Sequence, residues 1–402
     1  MRIRDGPAAV TGDADLMSLC RKCNRTAWED NDSWANDPEE SEDDDNLNKL
    51  ESDGKGSDGR CPIGALFVFY KESFMEMKCI MVRSIGSFEL TRTLLGNPMD
   101  DEVVIKVEVT GLCRTDLKLI RVGHRDLVLP RIPGEEVVGI ICKMGSAVTG
   151  FREGDRVYVY PGIWCGICPS CLAGAQNLCR KMRIMGFHRD GGFAEYVIAP
   201  AQSLIPVPPE LTAEQAVFAE PLSCCLNALE LGDVGKGKSV GIWGAGPAGT
   251  LLHRASKALG AEPFNIDPDQ QRSERIQGAN SCPDRTFDVC IVAVGSKQAY
   301  EEAITRLNPR GRLVVFSGLS PLDDRLPVSF NQLHYNEQIL AGAYGCSYRH
   351  GHQALSFISD RRVAVEDMIS HRMPLNDLDT ALEFVENRRG MKILLYPQIW
   401  EK

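Results

Sequence analysis

From Met77 onward the chain alternates short β-branched and apolar runs with glycine- and proline-bearing turns, in MKCIMVRSIG, VVIKVEVTG, EEVVGIICKMG, DRVYVYPG and GFAEYVIAP. Runs of this length, broken by turn residues, predict a β-rich, barrel-like region. After Gly232 the texture changes. SVGIWGAGPAGTLLHRASKALGA predicts a strand over Ser239 to Trp243, a glycine turn and a helix to about Leu259, and FNID, FDVCIVAVG and GRLVVFSG follow as further strands. Strand, turn and helix in rotation is the rhythm of a parallel sheet, so the predicted fold class is α/β with a β-rich part and a parallel-sheet part.

Composition adds a third segment. The net charge of −10 is concentrated in Glu29 to Arg60, which holds thirteen Asp or Glu against three Lys or Arg and leaves 42 of each sign elsewhere. That stretch has almost no branched aliphatics and buries too little surface to offset the entropy of ordering, so residues 1–76 are expected to be an acidic, disordered extension. The remaining length exceeds the ~250 residues at which chains usually divide into domains. The longest early apolar run, Ala65 to Tyr70, falls far short of the ~20 residues of a membrane span. No signal-peptide pattern accompanies the fifteen cysteines, and no basic patch or recognition helix is evident. The expectation is a soluble cytoplasmic protein with reduced thiols and neither a membrane nor a nucleic-acid partner.

Candidate chemistry begins with Cys165, Cys168, Cys171 and Cys179, a C-x2-C-x2-C-x7-C array in GIWCGICPSCLAGAQNLC. Four thiolates on one short lobe predict a closed tetrahedral zinc shell, which holds structure and leaves no position for substrate. Gly244, Gly246 and Gly249 form a G-x-G-x-x-G turn between the predicted strand and helix. In that setting one glycine makes the turn, one admits a pyrophosphate to the backbone amides and one packs helix on strand. Asp267 ends the next predicted strand, eighteen residues after Gly249. A carboxylate there accepts hydrogen bonds from a ribose diol and repels a 2′-phosphate, which favours NAD over NADP. GLCRTD places Cys113 at a turn with the Thr115 hydroxyl two residues on. A thiolate there suits a catalytic metal, a hydroxyl beside it a proton path; taken alone, Cys113 equally suits a buried core cysteine.

With the sulfur lobe, GLCRTD, GAGPAG and Glu220 of FAEPLSCCLNAL in this order, the chain resembles the zinc-dependent medium-chain dehydrogenase/reductase superfamily over about Met77 to Pro397, especially its sorbitol and threonine dehydrogenase branch. The resemblance implies a GroES-like catalytic domain over 77–227, completed by 344–402, with a Rossmann domain over 228–343 between them. It implies a homo-oligomer, dimer or tetramer, that passes hydride between an alcohol or ketone and a nicotinamide packed near Val294 and Gly295. Cys165, Cys168, Cys171 and Cys179 match the structural zinc, Cys113 the first catalytic zinc ligand, Thr115 the proton-relay hydroxyl, and Glu220 a residue that ligates zinc or its water.

The family's Gly-His-Glu triplet reads Gly134-Glu135-Glu136 here, so the implied catalytic shell is Cys113, Glu135, Glu136 and Glu220. Such a set carries extra negative charge and favours harder ions. Three outcomes are open: zinc held through carboxylates with Glu136 as a working ligand, another ion such as manganese or iron, or an empty site. His124, eleven residues before Glu135, is a loop histidine that reaches the site only if the loop swings in. Lys118 stands where many relatives have a histidine ending the proton path. Only GANSCPDRT separates the helix ending near Gln277 from FDVCIVAVG, where relatives fit a further strand and helix. The expected function is a zinc-dependent alcohol or polyol dehydrogenase. The alternatives are a catalytically impaired scaffold or sensor that keeps nucleotide and structural zinc, and a reductase of the same fold without a catalytic metal.

Overall fold

A computed structural model describes residues 75–320 and 324–399. The acidic extension expected over 1–76 lies, apart from its last two residues, outside them.

The alternating runs form strands where their patterns predict, at Glu102–Leu112, Glu136–Met144, Arg156–Val159 and Tyr196–Pro200. With Leu204–Pro206 and two strands from the C-terminal part, Ile369–Pro374 and Lys392–Tyr396, they make a seven-stranded sheet. Glu102–Leu112 is its centre and pairs antiparallel with three strands: Glu136–Met144 along most of its length, Tyr196–Pro200 at one end and Lys392–Tyr396 at the other. Two register shifts against Glu136–Met144 let one strand serve all three, since a bulge bends a strand and re-aims its neighbours. Met75–Ser84 and Ser87–Leu95 form a separate hairpin.

The second sheet is parallel throughout, in the order Glu262–Ile266, Ser239–Trp243, Phe287–Val292, Leu307–Val315, Ile339–Gly342. Its inner strands read as nearly continuous apolar runs because both faces are covered. The helix Ala219–Leu231 packs on the helices Pro247–Ala258 and Tyr348–Ser359. One apolar core joins Val138, Tyr158 and Ile205 near the first sheet to Leu222 and Leu229 of that helix and to Val240, Ile242 and Val289 of the second.

The deletion read at GANSCPDRT has a direct structural result. Glu262–Ile266 is an edge strand, and among the described residues no further strand lies outside it. In place of one, Ala279 donates to the Asn265 carbonyl at 2.9 Å and accepts from the Asp267 N–H at 3.0 Å. This two-bond stub covers part of the edge. Among the described residues no helix is long and apolar enough to cross a membrane.

The glycine turn is held from beneath. Gly244 sits at φ +116°, and a Cβ on Gly249 would lie 2.1 Å from the Gly244 carbonyl oxygen, so neither position admits a side chain without movement. Buried Asn265 donates from Nδ2 to the carbonyls of Gly244 and Gly249 at 2.8 and 3.1 Å, and its Oδ1 pairs with His253 Nδ1 at 2.8 Å. Removing this amide leaves the Gly244 carbonyl without its donor, at about 1–3 kcal/mol, and takes a second donor from the Gly249 carbonyl. Asn265→Ala is therefore expected to lower the apparent Tm and to weaken nicotinamide nucleotide binding, measured by thermal unfolding and fluorescence titration; an unchanged dissociation constant would show that the turn holds its shape without Asn265.

Candidate functional site

The sulfur lobe follows from its turns. Cys165 comes after the short strand Gly162–Ile163, Cys168 caps the helix Pro169–Leu172 that carries Cys171, and Cys179 follows the 3-10 turn Gln176–Leu178. Gly166 and Gly174, at φ +73° and +77°, make the reversals that bring the four together. All four sulfurs lie within 4.8 Å of one another, with separations of 3.5 Å for Cys168–Cys171, 3.6 Å for Cys165–Cys179 and 4.0 Å for Cys165–Cys171. A tetrahedral shell with Zn–S near 2.3 Å has edges of about 3.8 Å, so the array fits zinc as it stands. The Cys171 backbone N–H holds Cys168 down to about 6, while burial pushes Cys171 up to about 12.

The second cluster is built from acids, Asp116 and Glu136 buried and Glu135 and Glu220 half-buried. Cys113 caps the helix Arg114–Arg121, and its N–H donates to Asp116 Oδ2 at 3.0 Å. Thr115 and Lys118 are exposed one turn apart on that helix. Glu136 is 1% exposed, and both its carboxylate oxygens accept from Lys392 Nζ, at 2.6 and 2.7 Å. Gly111 makes room for it, since a Cβ there would stand 1.8 Å from Glu136 Oε2. Burial pushes Asp116 up to about 6. It pushes Glu220 up to about 7, with Glu136 adding to the shift. Glu135 rises well above the carboxylate range through burial and then through Glu220, Asp116 and Glu136. Cys113 is raised by burial, then by Asp116, Glu136 and Glu135. Burial alone would lower Lys392, but Glu136 and then Cys113 more than reverse this.

These shifts mark Cys113, Glu135, Glu136 and Glu220 as one electrostatic neighbourhood, but their ligand atoms do not converge on a common ion. Among the described residues, three or more His, Cys, Asp or Glu ligand atoms gather within 4.8 Å in two places: the sulfur lobe, and Glu220 with Cys224 and Cys346. The expected four-residue shell therefore does not fit a metal in this arrangement, and Glu136, read from the sequence as a ligand, is engaged by Lys392 instead. His124 remains in its loop, its Nδ1 accepting from the Asp126 N–H at 3.2 Å and its ring edge-on to Phe187.

On the nucleotide side Gly246 caps the helix Pro247–Ala258. Asp267 follows the edge strand and is buried, Oδ2 accepting from the Ala245 N–H at 2.7 Å and Oδ1 from the Asp269 N–H at 3.0 Å. Arg272 lies 3.7 Å from where a Gly246 Cβ would be, and its Nη2 donates to the Arg388 carbonyl at 2.5 Å. Val294 and Gly295 follow the strand Phe287–Val292, half-buried and exposed respectively.

Sequence reasoning missed Lys392, Cys224, Cys346 and Arg272. Lys392 had a signal, a lone charge opening the apolar strand KILLY. Cys224 stands four residues after Glu220 and so shares its helix face. Cys346 has no local signal.

Two outcomes follow. Lys392→Met strands a buried carboxylate and is expected to cost about 3–5 kcal/mol, whereas Lys392→Met with Glu136→Met should recover most of it, read as apparent Tm in a double-mutant cycle; additive losses would show the pair is uncoupled. Asp116 holds its proton more tightly folded than unfolded, so it lowers stability as pH rises from about 4 through about 6, by roughly 3 kcal/mol in total. Asp116→Asn removes that slope and should be most harmful near pH 4 and least above pH 7, checked by Tm against pH.

Residues 99–209 match the family model for the alcohol dehydrogenase GroES-like domain. The chain is 30% identical over 349 residues to the sorbitol dehydrogenase of Bacillus subtilis, covering 80% of this chain and 97% of that protein. It is 30% identical over 291 residues to the D-altritol 5-dehydrogenase of Agrobacterium fabrum, covering 68% and 86%. Among solved structures, a zinc-binding dehydrogenase of Sinorhizobium meliloti bound to NADP is 28% identical with a TM-score of 0.73, covering 80% of this chain and all of that one. Galactitol-1-phosphate dehydrogenase of Escherichia coli is 26% identical with the same TM-score and coverage. With a central GroES-like sheet, a parallel nucleotide-type sheet and these relatives, the chain belongs to the zinc-dependent medium-chain dehydrogenase/reductase family and is an NAD(P)-dependent oxidoreductase of the alcohol and polyol dehydrogenase kind.

Proposed function

We propose that the chain transfers hydride between the carbinol carbon of a polyol and NAD, with the corresponding ketone as product. The observation that carries the substrate class is the pair of half-buried carboxyls Glu135 and Glu220, set beside buried Asp116 and Glu136, whose oxygens suit a molecule bearing several hydroxyl donors. Relatives named for sorbitol, altritol and galactitol 1-phosphate support the same class. NAD over NADP rests on Asp267, whose carboxylate lies against the glycine turn where a 2′-phosphate would be repelled. Gly244, Gly246 and Gly249 receive the pyrophosphate, and Val294 and Gly295 line the nicotinamide end.

In oxidation the carbinol C–H bond breaks with its electron pair moving to the nicotinamide, and the hydroxyl proton leaves separately. Thr115 and Lys118, on one exposed face of the helix Arg114–Arg121, offer that proton a route to solvent. Cys165, Cys168, Cys171 and Cys179 would hold one zinc, which supplies rigidity to the lobe and no chemistry. The domain reading is a catalytic part of residues 77–227 with 344–402, and a nucleotide part of 228–343. A reducing, cytoplasmic compartment belongs to the same reading, because cysteines that ligate zinc must stay reduced. Exposed Phe330 and Tyr335, beside the outer strand Ile339–Gly342 with its half-exposed Ile339 and Leu340, support a homo-oligomer formed along that edge.

The test is a steady-state assay of the purified protein with sorbitol, galactitol, altritol and simple aliphatic alcohols, each with NAD and NADP. Turnover of at least one polyol is expected, with kcat/KM at least about tenfold higher with NAD, a difference of about 1.4 kcal/mol. A preference for aliphatic alcohols would overturn the substrate class, and a preference for NADP would overturn the role given to Asp267.

A further inference from the structure

The four residues expected to form the catalytic metal shell do not converge, but a neighbouring trio does. Glu220 and Cys224 lie one turn apart on the helix Ala219–Leu231, so their side chains share a face, and the Cys224 thiol donates to Glu220 Oε1 at 3.4 Å. Cys346 comes from the segment that leads into the helix Tyr348–Ser359. The three ligand atoms all lie within 4.8 Å of one another, the span available to ligands that share one small cation at about 2.0–2.3 Å each.

This segment is fixed in place by bonds that leave the three side chains free to act. Tyr160 donates from its hydroxyl to the Cys346 carbonyl at 2.6 Å, and Asn227, on the same helix face as Glu220 and Cys224, donates to the Gly345 carbonyl at 2.9 Å. A second, independent observation points to a ligand. The Tyr158 hydroxyl is fully buried and has no hydrogen-bond partner among the described residues, and the ionisable groups that act on it most strongly are Cys346, Glu220 and Cys224. A buried phenol without a partner costs free energy unless something nearby meets it.

We propose that Glu220, Cys224 and Cys346 form a three-ligand site for zinc, displaced along the helix Ala219–Leu231 from the Cys113 position, with the fourth position taken by an oxygen that hydrogen-bonds the Tyr158 hydroxyl. Two thiolates and a carboxylate match zinc in softness, and three protein ligands leave the open position of a catalytic centre rather than the closed shell of the sulfur lobe. Binding releases the two thiol protons. The inference deepens the dehydrogenase reading by naming which atoms hold the metal of that site.

The test is metal content of the purified full chain by elemental analysis, together with the thiolate-to-metal absorption of the cobalt-exchanged protein. Two ions per chain are expected. Cys224→Ser, Cys346→Ser and the double variant should each retain one ion and lose part of the cobalt–thiolate absorption, while Cys113→Ser and the neighbouring Cys225→Ser keep both ions. Nucleotide binding, followed by fluorescence, reports that each variant is folded; Glu220→Gln, which keeps both thiols, replaces any cysteine variant that fails this check and should also retain one ion. One ion in the unsubstituted chain, a second ion that survives the double substitution, or its loss in Cys113→Ser would overturn the assignment. Turnover is read separately: two ions in the predicted residues with no turnover of any alcohol would sink the dehydrogenase reading and leave the metal site standing.

Discussion

Burying a carboxylate costs several kcal/mol unless the protein supplies a partner, and the centre of this molecule sets buried Asp116 and Glu136 and half-buried Glu135 and Glu220 around the ammonium of Lys392. That imbalance governs the rest. Lys392 opens the last strand of the first sheet, and Glu136 opens a strand on the other side of Glu102–Leu112. Their bond fastens the two flanks of the central strand across 256 residues of chain. Burial makes the remaining carboxyls hold their protons more tightly than free acids do, and a bound cation is the other physical answer to the same problem.

The sulfur lobe is tied mechanically to this centre. Trp164, beside Cys165, packs on Tyr160 and Tyr348 with ring centroids 5.7 and 5.2 Å away. Tyr348 donates to the Leu204 carbonyl at 2.7 Å, and Asn177, within the lobe, donates to the Tyr344 carbonyl at 2.6 Å. Ordering the lobe therefore orders the Tyr344–Cys346 segment, whose position decides whether Cys346 reaches Glu220. A site on rigid supports is held more closely than one on a free loop.

Local patterns in the sequence carried most of the architecture. The period-two runs, the glycine turn with its flanking strand and helix, and the spacing of Cys165 to Cys179 each encode their geometry within a few dozen residues, so each was legible in one chain. The shortened GANSCPDRT was legible as well, as a missing strand. The acid cluster was not, because its decisive contacts are long-range. Nothing near Glu136 announces Lys392, and nothing near Glu220 announces Cys346, more than a hundred residues away. The family's ligand pattern pointed to Glu136, and a tertiary ion pair claimed it. Cys224, by its helical spacing from Glu220, and Lys392, as a lone charge opening an apolar strand, stood within reach of sequence reasoning.

The edge left by the absent strand changes what the nucleotide site is made of. Where a further strand would wall the adenosine side, Arg272 spans the space from the glycine turn to the backbone of Arg388. Arg388 lies just before Lys392, which grips Glu136 in the other sheet. A single short tail segment thus carries a carbonyl held by Arg272 and, four residues on, the ammonium held by Glu136. Contacts that reach two different sheets are therefore placed by the same short stretch of backbone.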